Sequence, residues 1–269
     1  MKNDFSRHAP IPLYPAGEIP FDEGRGVETP VMLPYLLEGA RSCVVVFPGG
    51  GYFQRSDDFE GDEIARAYNS SGFSAFVVHY RYRPYGGEAI LQDAVRAIRL
   101  IRSRRAEFGI DPDRLIVCGF SAGGHLAQMC CQLDVPDAIG DAAAAESSRP
   151  NAAVLCYPVT TFLDGTYPLM PEIFLREKNG DEALLRRFSA ECSDMAAQGP
   201  TFIWASVLDT SVDPMKNSVR MAQALHAHGI PYALHLFGDG GHGGGLFSGC
   251  AECGRWHAMS VDFLRGKGL

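Results

Sequence analysis

The residues that could do chemistry gather around one serine. Gly119-Phe120-Ser121-Ala122-Gly123 fits G-x-S-x-G, a pattern in which small neighbours let a strand turn sharply into a helix and leave the serine oxygen projecting at the helix mouth. The bare pattern is weak, but an apolar β-branched run opens at Leu115 before it and a helix-favouring stretch follows from Ala122. A serine that merely capped that helix would need no partners. A nucleophilic serine needs a base, and the base needs an orienting acid. On a parallel sheet the chain order is serine, acid, histidine, each after a later strand. Asp209 follows an apolar run at 201–207, and His242 follows another at 232–237. His242 lies in GDGGHGGG, loose enough to carry an imidazole over Ser121. Of the other histidines, His226 and His228 fall on a helical stretch, His235 inside a strand, and His125 one turn beyond Ser121.

A second cluster is Phe47-Pro48-Gly49-Gly50-Gly51-Tyr52. Three consecutive glycines favour neither strand nor helix, but they free backbone N–H groups to converge on a point. An oxyanion hole needs such donors, about 3 Å from the developing charge. A phosphate cradle is the competing reading. It is disfavoured because no GKS or GKT follows and no G-x-G-x-x-G opens a helix. The expected donors are the amides of Gly50, Gly51 and Ala122. Cys250 and Cys253 have the C-x-x-C spacing of a zinc knuckle or redox pair, yet no second pair completes a zinc ribbon, and surface thiols or packing is the preferred reading. No metal and no cofactor is expected.

The elements that must position these groups alternate along the chain. Strands are expected near 31–37 and at 42–47, 74–80, 115–119, 152–157, 201–207 and 232–237. Helices are expected at 59–68, 88–108, 122–132, 215–228 and 256–264. In the 88–108 helix Ile90, Ala94, Ile98 and Ile101 form an apolar face, while Arg96, Arg99 and Arg102 read as a solvated one. Strand–helix alternation implies crossover units and a mainly parallel sheet with helices on both faces. Residues 158–200 break the rhythm. This insertion is too long for an ordinary connection and is expected to cover or rim a site. The chain is read as one domain, 1–269.

Composition bounds the rest. The 269 residues are 46 % hydrophobic and 21 % charged, the balance of a globular protein. Twenty-four Lys and Arg against 32 Asp and Glu give a net charge of −8, which argues against a nucleic-acid partner. No apolar run is long enough to span a membrane. The opening MKNDFSRHAPIPLYP has no apolar core after a basic start, so a cytoplasmic location is expected, with most of the eight cysteines reduced and buried.

Taken together, PGGGY, GFSAGGHLA and GGHGGGL resemble the small α/β-hydrolase-fold serine esterases grouped with acetyl-xylan-type carbohydrate esterases. The stretch HYRYRPYGGEAILQDAVRAIRLIRSRRAEFGIDPDRLIVCGFSAGGHLA is similar to the family almost throughout, and RPNAAVLCYPV with SAECSDMAAQGPTFIWASVLDTSVDPMKNSV extends the resemblance over most of 28–265. The resemblance implies a serine hydrolase without metal or organic cofactor, acting on short acyl esters, often acetyl groups on carbohydrate. Phe47 stands where family members often have His, and Ala205 replaces the polar residue that commonly follows Trp204. The family's acid pattern, W-x-x-x-x-D-x-x-V-P, is met by Trp204, Asp209 and Val212, but Asp213 intrudes before Pro214. Asp209 is favoured over Asp213.

The expected mechanism is attack by Ser121, proton shuttling by His242 and orientation by Asp209. Tyr52, Phe162, Tyr167 and Phe174 are candidates for the substrate pocket. The expected partner is a small ester, possibly an acetylated carbohydrate. Two alternatives stay open: an aryl-formamidase or aminopeptidase-like amide hydrolase on the same triad, and a binding protein that kept the fold without turnover.

Overall fold

The computed structural model describes residues 9–22, 24, 28–164 and 169–269. In chain order the elements are β1 (Ile11–Pro12), β2 (Val31–Tyr35), β3 (Cys43–Phe47), α1 (Glu63–Ser70), β4 (Ser74–His79), α2 (Gly87–Ser103), α3 (Arg105–Phe108), β5 (Leu115–Phe120) and α4 (Ala122–Gln132). There follow β6 (Ala152–Cys156), α5 (Leu169–Leu175), α6 (Glu182–Arg187), β7 (Thr201–Ser206), α7 (Arg220–Ala227), β8 (Tyr232–Phe237) and α8 (Trp256–Gly266). The strands form one sheet in the order β1-β2-β4-β3-β5-β6-β7-β8, antiparallel at β1-β2-β4 and parallel beyond.

The continuous apolar strands have a simple cause. Successive side chains leave opposite faces, so a strand covered on both sides has no position for a polar residue. In β3, Val45 and Phe47 enter the core under α2 and α4, whereas Val44 and Val46 enter the core under α1 and α8. All four are fully buried, and each such side chain contributes roughly 1.5–3 kcal/mol on leaving water. β5, between β3 and β6, carries Ser121 at its carboxyl end. Central placement among fully buried strands gives the serine a rigid base.

Two expectations are corrected. The helix expected over 88–108 is two helices, because the backbone leaves helical geometry at Arg104 (φ −102°, ψ 19°) before Gly109 stops it in the left-handed region. The arginine run is not a solvated face. Arg96, Arg99 and Arg102 are buried and hold the segment before β6. Arg96 makes paired bonds to Asp141, Arg99 donates to the carbonyls of Val135 and Glu146, and Arg102 donates to Ser147 and Pro112. A loop without its own ladder needs donors for its carbonyls, and five N–H groups per guanidinium supply them. Charge alone did not reveal this.

The insertion at 158–200 contains the short helices α5 and α6 and no strand among its described residues. No helix among the described residues is long and apolar enough to cross a membrane. All eight cysteines are free thiols, and six of them are buried.

Candidate active site

Close approach explains the small residues around Ser121. A Cβ at Gly119 would strike the Gly123 carbonyl, and one at Gly123 would strike the carbonyl of Phe47 on the neighbouring strand. Glycine at both positions lets α4 start against the sheet. Ser121 itself takes φ 51° and ψ −115°, a left-handed conformation in a residue with a side chain, which costs on the order of 1–3 kcal/mol. Its neighbours over-determine it. The Ser121 amide donates to Cys156 O at 3.0 Å, and its carbonyl accepts from His125 N (3.2 Å) and Val159 N (3.1 Å).

Ser121 Oγ lies 2.8 Å from His242 Nε2, and His242 Nδ1 lies 2.6 Å from Asp209 Oδ2. The Asp209 side chain is fully shielded, while His242 keeps a fifth of its surface. Asp209 Oδ1 accepts from the amides of Ser211 and Val212, both at 2.9 Å, so the turn after β7 fixes the carboxylate. Its acceptor role requires the Nδ1–H tautomer, which leaves the Nε2 lone pair facing the serine hydroxyl. Asp213 points elsewhere. Its carboxylate accepts from Met215 N at 2.8 Å and from Lys216 N at 3.3 Å, capping the helical turn that leads into α7. That capping role accounts for the extra acid before Pro214.

A cavity of about 220 Å³ opens over Ser121, lined by Gly50, Gly51, Ser56, Glu60, Met170, Ser211, Val212, His242 and Gly243. Gly50 and Gly51 have φ of 124° and 64°, values that L side chains resist. The loop is held through its carbonyls: Gly50 O accepts from Phe53 N (3.0 Å), Gly49 O from Ser56 N (3.1 Å) and Pro48 O from the Tyr80 hydroxyl (2.5 Å). The amides of Gly50 and Gly51 donate to no acceptor among the described residues. Ala122 opens α4, so its amide sits at the positive end of that helix.

The chain as a whole is similar to known proteins. Residues 30–225 fit the BD-FAE family model. The chain belongs to the BD-FAE family. A solved relative, an acetyl ester-xyloside bifunctional hydrolase from Caldicellulosiruptor lactoaceticus, superposes with a TM-score of 0.92 at 36 % identity, covering 99 % of this chain and 98 % of that one. An endo-1,4-beta-xylanase B of Butyrivibrio fibrisolvens is 34 % identical over 76 % of this chain and 32 % of its own length. An acetylxylan esterase of Xylanibacter ruminicola is 28 % identical over 84 % and 44 %, respectively. The chain therefore spans about a third to under a half of these curated relatives. This BD-FAE member has the α/β-hydrolase fold.

Three of the aromatic residues expected to line the substrate pocket do not border the cavity over Ser121. Tyr52, Phe162 and Phe174 are buried around His125 rather than in the cavity wall. Phe162 stacks on His125 at 4.4 Å between ring centroids, and Phe174 packs on both Tyr52 and Phe188. Tyr167 lies outside the described residues. The insertion reaches the cavity through Met170 of α5 instead.

Sequence reasoning missed Glu60 and Tyr157. Glu60 stands in Asp57-Asp58-Phe59-Glu60-Gly61-Asp62, at the start of the helix expected over 59–68; it is 2 % exposed and lines the cavity. Only the glycine after it, which sits 3.1 Å from Val77 when given a Cβ, hints at close packing. Burial raises the Glu60 pKa, opposed by hydrogen bonds from Tyr157 and Gly49 and by the field of His242.

Cys250 and Cys253 come within 4.8 Å of Asp239, offering three donors to a metal. The Asp239 oxygens already accept from Glu252 N (2.9 Å) and Cys253 N (2.8 Å). As a cap on that turn the cluster needs no ion.

Proposed function

We infer that this protein is a serine carboxylic ester hydrolase for short acyl esters, removing acetyl groups from a small or carbohydrate-linked alcohol within one α/β-hydrolase domain. The observation that carries the reading is the hydrogen-bonded run from Ser121 through His242 to Asp209, with the Gly50 and Gly51 amides, which donate to no acceptor among the described residues, across the cavity.

In the first half-reaction Ser121 Oγ attacks the acyl carbon as His242 Nε2 accepts its proton. Asp209 holds the tautomer and offsets the imidazolium charge. The new oxyanion is stabilised by the N–H groups of Gly50, Gly51 and Ala122, prearranged dipoles in a partly dry site. His242 then returns its proton to the alcohol, and the C–O bond breaks to leave an acyl-serine. Water, activated by the same imidazole, releases the acid and restores the serine. Every step uses side chains and amides of this chain.

The cavity supports a short acyl group, since about 220 Å³ lies below the usual range for drug-sized ligands. Sugar-linked acetate is favoured by the company the chain keeps: one relative is named for acetylxylan and another for an acetyl ester-xyloside.

The test is hydrolysis of p-nitrophenyl acetate, butyrate and octanoate by wild type and Ser121→Ala, followed by acetylated xylo-oligosaccharides. Acetate-preferring turnover lost in the variant is expected. Octanoate preference would reject the short acyl pocket. Faster cleavage of N-formyl or aminoacyl amides than of acetyl esters would replace the ester reading with amide hydrolysis.

A further inference from the structure

One carboxyl in the cavity wall has no part in that mechanism. Glu60 sits in a wide turn, Asp58–Asp62, between the glycine loop and α1. Its Oε2 accepts from the Gly49 amide at 2.8 Å, and its Oε1 accepts from the Tyr157 hydroxyl at 2.6 Å. The same hydroxyl accepts from the amide of Gly245, at 3.1 Å, in the loop that bears His242. Gly245 O accepts in turn from Trp256 Nε1 at 3.0 Å, and the Tyr157 ring lies edge-on to the His242 imidazole, 4.9 Å between centroids. A single buried carboxyl thus links the strand that ends in the glycine loop, the strand beside Ser121 and the histidine loop.

The surroundings bear on its charge. The titratable groups that face it are His242, Tyr157 and Cys156 from the end of β6, and Tyr80 after β4. Burial makes the two tyrosines and the cysteine harder still to ionise. His242 is the group among them that becomes a cation. A carboxylate left in a cavity wall without a counter-charge is disfavoured by desolvation, so its retention there needs a reason beyond packing.

We propose that Glu60 is a positioning residue for ester hydrolysis at Ser121: its carboxylate fixes the Gly49–Gly51 amides and, through Tyr157, the His242 loop, and its charge favours the His242 imidazolium formed at each proton transfer. The inference rests on the ester-hydrolase reading above. It makes Glu60 a second acidic partner of His242, acting from the cavity side while Asp209 acts from behind.

Glu60→Gln keeps the shape, removes the charge and turns one acceptor into a donor opposite a donor. With p-nitrophenyl acetate, kcat is expected to fall about 10- to 100-fold with KM changing less than about threefold. The acid limb of kcat/KM is expected to move down by about 0.5 to 1 pH unit, because an imidazolium that loses a nearby negative charge releases its proton more readily. Glu60→Asp retains the charge, so its acid limb should stay near that of wild type even where kcat falls.

Should Glu60→Gln fail to fold, Tyr157→Phe carries the test. Loss of the hydroxyl raises the pH at which Glu60 protonates, so Glu60 is neutral over more of the acid range and the acid limb should move down, in the same direction as in Glu60→Gln. Wild-type kcat with an unmoved limb in Glu60→Gln overturns the proposal. So does an equal loss in the Gln and Asp variants with both limbs unmoved, which leaves Glu60 a packing role, and so does an unmoved limb in Tyr157→Phe. Wild-type protein that neither turns over the ester nor takes a fluorophosphonate on Ser121 defeats the ester-hydrolase reading and this inference together. Wild type that does both, beside a Glu60→Gln variant that matches it at every pH, defeats this inference alone.

Discussion

Two imidazoles lie near Ser121, one on the helix that begins after it and one on the loop after β8, and they have opposite fates. His125 is sealed among Tyr52, Phe162, Phe174 and Phe188. Its Nε2 is 2.9 Å from the Phe188 carbonyl, which can only accept, so Nε2 carries the hydrogen and Nδ1 accepts from the Tyr52 hydroxyl at 2.8 Å. Burial pushes its pKa down to about 4. That ring is a neutral strut. His242 instead has a shielded carboxylate on one nitrogen, a serine oxygen on the other and an edge open to the cavity. The imidazole is the same in both. The carboxylate behind it and the open edge in front are what allow a proton to be taken and returned.

The comparison breaks most sharply on mutation of the rings themselves. His242→Ala should lower kcat by about 10⁴-fold or more with the fold intact. His125→Leu should change kcat in the folded protein by less than about threefold while destabilising it by roughly 2–4 kcal/mol, since the Tyr52 hydroxyl and the Phe188 carbonyl lose their partner. Steady-state kinetics beside urea unfolding would check both, and a matched loss of kcat in the two variants would erase the distinction.

The acids behind the ring sharpen it further. Asp209→Asn should cost about 10³- to 10⁴-fold in kcat by offering Nδ1 the wrong partner. Asp213→Ala should leave kcat within about threefold and remove about 1 kcal/mol of stability as a lost cap.

A smaller effect appears in acid. The folded pKa of His125 is depressed to about 4 from 6.5, so the unfolded chain binds this proton first as pH falls. The stability it contributes is fully present above pH 6.5 and is lost on descent towards pH 4, up to about 3 kcal/mol. Urea unfolding at pH 7 and pH 4.5 should show that loss in wild type and a reduced loss in His125→Leu. His257, also depressed to about 4 by burial, should keep part of the slope in the variant.

Much of this was legible in the chain. β8 spans Tyr232–Phe237 and α4 spans Ala122–Gln132, as the apolar patterning predicts. The order of Ser121, Asp209 and His242 anticipated their meeting because a parallel sheet presents the carboxyl ends of its strands on one edge. Three features were hidden for physical reasons. Arg96, Arg99 and Arg102 look solvated because a periodicity argument counts charge, not the carbonyls of a distant loop that charge can satisfy. Phe162, Phe174 and Tyr52 close on His125 because a bulky ring gains more from other rings than from a wet cavity. Glu60 was invisible because its partners, a backbone amide and a tyrosine hydroxyl 97 positions away, leave no spacing to read.

The central claim is that Ser121 is the nucleophile and His242 its base. Treatment with a fluorophosphonate, followed by peptide mass spectrometry in wild type and His242→Ala, tests it most directly. The expected result is one adduct on the Ser121 peptide, formed in step with loss of p-nitrophenyl acetate hydrolysis and nearly absent in His242→Ala. An adduct on another residue that abolishes turnover, or wild-type labelling of Ser121 in His242→Ala, would contradict it.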